Sequence, residues 1–466
     1  MKSKIRAFLV AGPLSLFCLL GLSAAAVTAP VRAEPAREFV LGNGMKVIVK
    51  EDRRAPIAVQ MVWYQVGAID ELNGTTGVSH ALEHMMFKGT RHHKVGEFSR
   101  LVAELGGQEN AFTANDYTAY FQQIEKGQLE KVMALEADRM ANLQFDAGEF
   151  AKEIRVIMEE RRWRTDDQPM GLLNEALNAA AWTAHPYHHP VVGWMDDLQH
   201  MSVQDIAAWY RRWYAPNNAT LVVAGDVDAQ RVLALAKTYF GKIPARPVVR
   251  GKPQNEPAQL GLRRVTVKAP AENPYVVMAF KVPSLRDVGQ DQDAYALDVL
   301  SAVLDGYDNA RLSARLVRTG NQATTVGASY DGVARGPVLF MLEGSPAEGV
   351  STEQLEGLLR AEVAKVASEG VSEQELQRVK TQLIAAQVYK RDSVFGQAME
   401  IGMMEAAGIG QKNIERIIER LKSVTAAQVQ AVAQRYFKDD NLTVATLIPL
   451  PLEGKRPAPP PAGLLH

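Results

Sequence analysis

Cysteine is what this chain has least of. One occurs in 466 residues, Cys18, and it lies in an apolar N-terminal run. Everything after that run can form neither a disulfide nor a thiolate metal site. A zinc ion here would have to rest on histidine and carboxylate. Neither sign of charge is in excess: 52 Lys and Arg stand against 53 Asp and Glu, with no basic block. That balance argues against nucleic acid or an acidic membrane surface as the main partner. After the N-terminus no apolar run approaches membrane-spanning length.

The N-terminus reads as a targeting segment. Lys2, Lys4 and Arg6 form a basic start, and Ala7 to Ala26 is mostly apolar but interrupted by Pro13. Val31-Arg32-Ala33 has the small-residue pattern of a cleavage site, so residues 1–33 are expected to be a signal peptide and the mature chain to begin at Glu34. A retained anchor is the alternative, because the run is nearly long enough to span. Cleavage would leave a periplasmic protein with no stable membrane span. About 433 residues then remain, enough for more than one domain.

Histidine is scarce too, nine in all, yet two stand four apart with a glutamate between them: His80-Ala81-Leu82-Glu83-His84. Residues three and four apart share a helix face. His80 and His84 can therefore grip one ion while Glu83 sits beside it, the H-x-x-E-H pattern that reverses the H-E-x-x-H zinc peptidase motif. Two neutral imidazoles bind Zn²⁺ and leave positions for a third ligand and water, and a carboxylate kept off the metal can take the water's proton. A solvent-facing histidine pair is the plainer alternative. Val78, Ala81, Leu82, Met85, Met86 and Phe87 flank the motif and argue for burial instead. Two buried histidines and a glutamate without a metal would be costly.

The chain repeats itself. Residues 201–223 match 424–446 without a gap: Ser202 with Thr425 as helix N-caps, Ile206 with Val429, Trp213-Tyr214 with Tyr436-Phe437, Asn218 with Asn441. Strands Ala58 to Val66 and Tyr275 to Val282 also correspond. Each precedes a helix, 75–88 with the motif and 293–304 without it. Helices are expected over 126–143, 147–165, 353–368 and 371–390. The pattern predicts an α+β fold of two homologous halves, each an antiparallel sheet with helices packed on it. Prolines 244, 247, 253 and 257 mark a linker, so the expected divisions are a zinc-binding domain over 34–245, a linker over 246–262 and a second domain over 263–448. Residues 449–466 hold six prolines and are expected to be disordered. His92, His93, His188 and His189 are expected in solvent-facing loops.

The third metal ligand is less plain. Glu153 and Glu160 lie seven apart on one predicted helix face, flanked by Val156 and Ile157. By spacing alone, a solvated charged helix fits them better than a metal site. Here the chain resembles the pitrilysin/insulinase group of zinc peptidases, the inverzincins. In that family a Glu follows the second His of H-x-x-E-H by about the 76 residues that separate His84 from Glu160, on a helix reading E-x-x-V-I-x-x-E. The resemblance implies that Glu160 completes the zinc site with His80 and His84. It implies that Glu83 is the general base, that Glu153 orients the catalytic site from behind the ligands, and that Glu159 points away. Gly106-Gly107-Gln108-Glu109-Asn110-Ala111-Phe112-Thr113 resembles the family's G-G-x-x-N-A-x-T strand. Asn110, Ala111, Phe112 and Thr113 would then form an exposed sheet edge that pairs with extended substrate.

The length is similar to that of the small-subunit branch, which includes mitochondrial processing peptidase subunits. In that branch two chains enclose a chamber like the halves of a clamshell. The resemblance implies an exported zinc endopeptidase for unfolded peptides, or alternatively a non-catalytic peptide-binding or assembly subunit. One departure bears on the partner. The family's second half pairs an Arg with a Tyr seven residues on. Arg318 matches the Arg, but position 325 is Thr, and the nearest tyrosine is Tyr330. This implies a heterodimer with a related chain that lacks the zinc motif, or else a homodimer in which Tyr330 substitutes.

Overall fold

The structure is a computed structural model and is described here for residues 35–452. Residues 1–34, which include the expected signal peptide, and residues 453–466 of the expected proline-rich tail lie outside the described residues.

The chain is α+β, with two sheets and helices on both faces of each. The strands run β1 (Arg37–Val40), β2 (Lys46–Glu51), β3 (Ile57–Tyr64), β4 (Gln108–Thr113), β5 (Thr118–Glu125) and β6 (Ala219–Gly225), then β7 (Arg263–Pro270), β8 (Tyr275–Val282), β9 (Ala323–Tyr330), β10 (Val338–Pro346) and β11 (Leu442–Leu450). The helices of the first half are α1 (Val78–Met85), α2 (Glu97–Glu104), α3 (Leu129–Asn142), α4 (Ala147–Arg161), α5 (Pro169–Ala181), α6 (Met195–His200), α7 (Val203–Trp213) and α8 (Ala229–Tyr239). Those of the second are α9 (Gln292–Asp305), α10 (Thr352–Glu369), α11 (Glu373–Lys390), α12 (Val394–Ala406), α13 (Ile414–Ser423) and α14 (Ala426–Tyr436).

The first sheet has the order β1-β2-β6-β3-β5-β4 and the second β7-β11-β8-β10-β9. Dropping β1 makes the two orders equivalent position by position, so the internal repeat is a structural one. Its caps match as well: Ser202 and Thr425 each close a capping box, with Asp205 and Gln428, at the head of α7 and α14. Each sheet is antiparallel except for one parallel pair, β2/β6 and β7/β11. A long helical excursion separates the two members of each pair, which a parallel connection requires.

Alternation along the central strands explains the layering. On β3, Ala58, Val62 and Tyr64 face the core beneath α1, α3 and α7, while Val59, Met61 and Trp63 face the other side. β8 repeats this, with Val276, Met278 and Phe280 on one face and Val277 and Ala279 on the other. Both faces are apolar, so both must be covered. The outer covers are exchanged. α12 of the second half supplies Val394, Ala398 and Ile401 to the first sheet. α5 of the first half supplies Leu173 and Leu177 to the second. The strands thus divide at the linker, but the packing crosses it.

Three boundaries differ from expectation, the first being the helix expected over 75–88, which runs only from Val78 to Met85. Pro449 and Leu450 belong to β11, paired with Ala269 and Pro270, because β7 extends beside them. The helix expected over 147–165 is α-helical only to Arg161 and continues as a π-helical turn over Arg162–Asp166.

Candidate metal centre

Helix α1, which carries the H-x-x-E-H motif, begins after Gly77, whose φ of 82° suits glycine. A side chain there would also collide, since a Cβ would meet the Val192 carbonyl oxygen at 2.4 Å. No side chain of the N-cap residue closes this helix. Glu71 does so from six residues upstream. Its carboxylate accepts from the Gly77 and Ser79 N–H groups, both at 2.8 Å, and a carboxylate at a helix N-terminus is favoured by the helix dipole. Asp197 of α6 holds the lead-in by accepting from the Gly74 and Thr76 N–H groups at 3.2 and 3.0 Å.

α1 is buried along its whole length. α4 packs against it, its own start capped by Asp146, which accepts from the Glu149 N–H at 2.9 Å. This contact brings His80, His84 and Glu160 together, with ligand atoms all within 4.8 Å of one another. Glu160 Oε2 lies 3.6 Å from His80 Nε2 and 3.3 Å from His84 Nε2. Ligands about 2.0–2.1 Å from a tetrahedral zinc stand about 3.3 Å apart, so the donor set and its spacing fit that ion. Arg164, one turn after Glu160, takes the other oxygen, Oε1, at 2.6 Å and leaves Oε2 to the histidines. Glu159 is exposed and pairs with Arg162.

The charges agree with a cation site. Burial and the neighbouring His84 push His80 down to about 3. Burial opposes charge on His84 as well, but hydrogen bonds to Glu153 and Glu160 lift it to about 9. Glu160 is brought down to about 2 against its burial, chiefly by His84 and His80. His84 and Glu160 are thus held as an opposite-charge pair, with Nε2 and Oε2 3.3 Å apart.

Glu83 shares the histidines' face but stays out of the cluster. Burial raises its pKa, and the Thr113 hydroxyl donates to its Oε2 at 2.5 Å. Glu153 sits behind His84, with Oε2 3.3 Å from Nδ1 and Oε1 2.6 Å from the Lys88 ammonium. A cavity of about 270 Å³ opens beside Glu83 and His84, lined further by Phe87, Lys88, Glu109 and Asn110.

β4 forms one wall. It is the terminal strand of the first sheet, paired with β5 on one side only. Ala111 is buried, and Phe112 packs edge-on against Trp63 with ring centroids 5.4 Å apart. Asn110 Oδ1 accepts from the Ala111 N–H at 2.7 Å. Arg318 stands apart. It is exposed on the Ser313–Thr319 turn of the second half and does not line the cavity. Thr325 lies on β9, and the Tyr330 hydroxyl donates to the Pro283 carbonyl at 2.7 Å.

One expectation is corrected. His189 is buried at 3% exposure, not in a solvent-facing loop, and lies 3.9 Å from Glu71. The segment that carries it packs under the lead-in to α1. His92 is exposed as expected. Sequence reasoning missed Lys88, Arg164 and Glu71. The first two could have been found by helical spacing, four residues after His84 and Glu160. Glu71 reaches across a loop and leaves no periodic signal.

Known proteins resemble this chain in sequence and fold. The family model described as Insulinase (Peptidase family M16) matches residues 46–193, and that described as Peptidase M16 inactive domain matches 200–383. A protein of Helicobacter pylori named zinc protease PqqE is 31% identical over 448 residues, covering 92% of this chain and 98% of its own. The crystal structure of a protease from Helicobacter pylori superposes with a TM-score of 0.84 at 28% identity, over 90% of this chain and all of that one. The periplasmic protease PqqL of Escherichia coli shares the fold, with a TM-score of 0.77 at 20% identity over 89% of this chain and 48% of its own. This chain belongs to the pitrilysin/insulinase family of peptidases, family M16.

Proposed function

We propose that the protein is an exported zinc-dependent endopeptidase that cuts unfolded peptides. The observation that carries this reading is the facing of Glu160 Oε2 and the two imidazole Nε2 atoms, with Glu83 beside them on an open cavity. His80, His84 and Glu160 would hold the ion. When bound, zinc supplies Lewis acidity, which polarises a carbonyl and makes water more acidic. Glu83 takes one proton from the attacking water at its carboxylate and returns it to the leaving amine, so water is consumed and one amide bond becomes an acid and an amine. Thr113 orients Glu83, and Glu153 orients His84. The free edge of β4 pairs with the backbone of an extended substrate and lays the scissile carbonyl beside the cluster.

Backbone pairing reads little of the side chains, so selection falls on extendability. A chamber closed by a second chain would exclude folded proteins. The Tyr330 hydroxyl is engaged by the Pro283 carbonyl, which favours a partner chain that supplies an Arg/Tyr pair over a homodimer in which Tyr330 substitutes. Residues 1–33 as a signal peptide would place the protein in the periplasm. The zinc-binding unit of 34–245, the linker of 246–262 and the second unit of 263–448 belong to the same reading.

The test is to purify the protein from its envelope with any chain that copurifies, measure bound zinc, and offer an unstructured peptide beside a stable folded domain. One zinc per copy of this protein, none on a copurifying partner, and cleavage of the peptide alone are expected. Zinc without cleavage, in the presence of the partner, would replace this reading with a non-catalytic peptide-binding subunit.

A further inference from the structure

Among the described residues the metal cluster draws only on the first half, yet one side chain of the second half reaches two segments that build the site. Arg335 lies in the loop joining β9 to β10. Its guanidinium makes a two-pronged ion pair with Asp70, at 2.7 and 2.9 Å. It also donates to the Asp116 carbonyl at 3.1 Å, while its backbone N–H donates to Asp116 Oδ2 at 2.8 Å. The other Asp116 oxygen accepts from the Tyr187 hydroxyl at 2.5 Å, and that hydroxyl in turn accepts from the Gly336 N–H at 3.0 Å. The fit leaves no slack. A Cβ on Gly336 would stand 2.6 Å from the His185 ring, and one on Gly67 would stand 2.4 Å from the Ala114 carbonyl oxygen.

Each segment leads into the site. Asp70 adjoins Glu71, which caps α1. Asp116 lies in the turn that joins β4 to β5, three residues after Thr113, whose hydroxyl holds Glu83. The Ala68 and Ile69 N–H groups donate to the Ala114 and Asn115 carbonyls at 3.2 and 2.8 Å, so the lead-in and the turn move as one body. Two-pronged arginine–carboxylate pairs that are largely out of water fix orientation as well as distance. A lysine could not reproduce the contact, since it offers a point charge and no fork.

We propose that Arg335 is a positioning residue, the means by which the second half holds the β4–β5 turn and the start of α1 in the geometry that aligns Thr113 with Glu83. Its hydrogen bonds go to Asp70 and Asp116, not to His80, His84, Glu160 or Glu83. The proposal rests on the reading of Glu83 as proton acceptor.

The experiment uses the full-length protein with any copurifying chain, as wild type and as Arg335→Ala, Arg335→Lys, Tyr187→Phe and Glu83→Gln. An unstructured fluorogenic peptide gives kcat and KM. Bound zinc is counted, and hydrogen exchange is followed by mass spectrometry over residues 70–79 and 108–117. Arg335→Ala should lower kcat by about tenfold or more, with KM changed by less than about threefold. Zinc should stay at wild-type stoichiometry. Exchange should quicken in those two segments and not in α10 or α14. Arg335→Lys should fall between. If Arg335→Ala does not fold, Tyr187→Phe, which leaves the ion pair intact, should show the same pattern at smaller amplitude. Wild-type kcat together with wild-type exchange in the variant that folds would overturn the proposal, as would a rise in KM alone. If instead Glu83→Gln cleaves as fast as wild type, the reading of Glu83 fails, and the exchange data still decide whether Arg335 holds the turn.

Discussion

Thr113, the last residue of the edge strand β4, donates its hydroxyl hydrogen to Glu83 of helix α1, with Oγ1 2.5 Å from Oε2. The strand that would bind substrate and the group that would move the proton are therefore one hydrogen-bonded unit. A substrate that shifts β4 also shifts the orientation of the base.

Removing the carboxylate and removing its partner should differ in size. Glu83→Gln should keep zinc and lower turnover by about 10²–10⁴-fold, because an amide cannot accept the proton. Thr113→Val should also keep zinc but cost about tenfold, the worth of one hydrogen bond to a charged group. Steady-state cleavage of an unstructured peptide, with metal counted on the same samples, checks both. Near-wild-type turnover in Glu83→Gln would remove it from the mechanism.

Neighbouring glutamates on α4 should behave oppositely. Glu160→Gln should weaken zinc retention, since its Oε2 faces both imidazoles. Glu159→Gln should leave zinc unchanged, because that side chain is exposed and paired with Arg162. Competition with a chelator ranks the two affinities. The reverse order would shift the third ligand by one residue.

Acid should weaken the fold through His189. Burial, then the neighbouring His188, pushes it down to about 4. A free imidazole titrates near 6.5. Between those values the unfolded chain takes up a proton that the folded chain refuses. The stability is full above about pH 6.5 and is lost as pH falls towards 4, by roughly 3 kcal/mol at the limit. Denaturant unfolding of the chelator-treated protein at several pH values should show this slope, and His189→Leu should reduce it. An unchanged slope in the variant would assign the acid sensitivity elsewhere.

Two glycines separate packing from backbone preference. Gly402 of α12 lies against Trp63, where a Cβ would stand 1.9 Å from the indole ring. Gly402→Ala must push the helix off the sheet and should lower the unfolding midpoint by several degrees, an overpacking cost of about 1–3 kcal/mol. Gly357 of α10 has open space around it. Gly357→Ala should raise the midpoint slightly, by the roughly 0.5–1 kcal/mol that alanine gains over glycine in a helix. Thermal scans of the two single variants decide.

Local chemistry made the cluster's two histidines and Glu83 legible, because helical periodicity alone sets which residues share a face. The repeat was legible too, since Ser202 and Thr425 head the same cap, aromatic and strand pattern in both halves. That any zinc would rest on histidine and carboxylate followed from the near absence of cysteine. Glu160 was different. Its spacing from Glu153 suited an exposed helix as well as a metal site, and the resemblance to a family singled it out. Only packing of α4 on α1 brings its Oε2 to the imidazoles. The exchange of α5 and α12 between sheets, the burial of His189 and the reach of Arg335 to Asp70 and Asp116 were decided by tertiary structure alone. Each joins residues far apart in the chain. No periodicity records such a pairing, because it depends on which apolar face is left uncovered once the rest of the chain has folded.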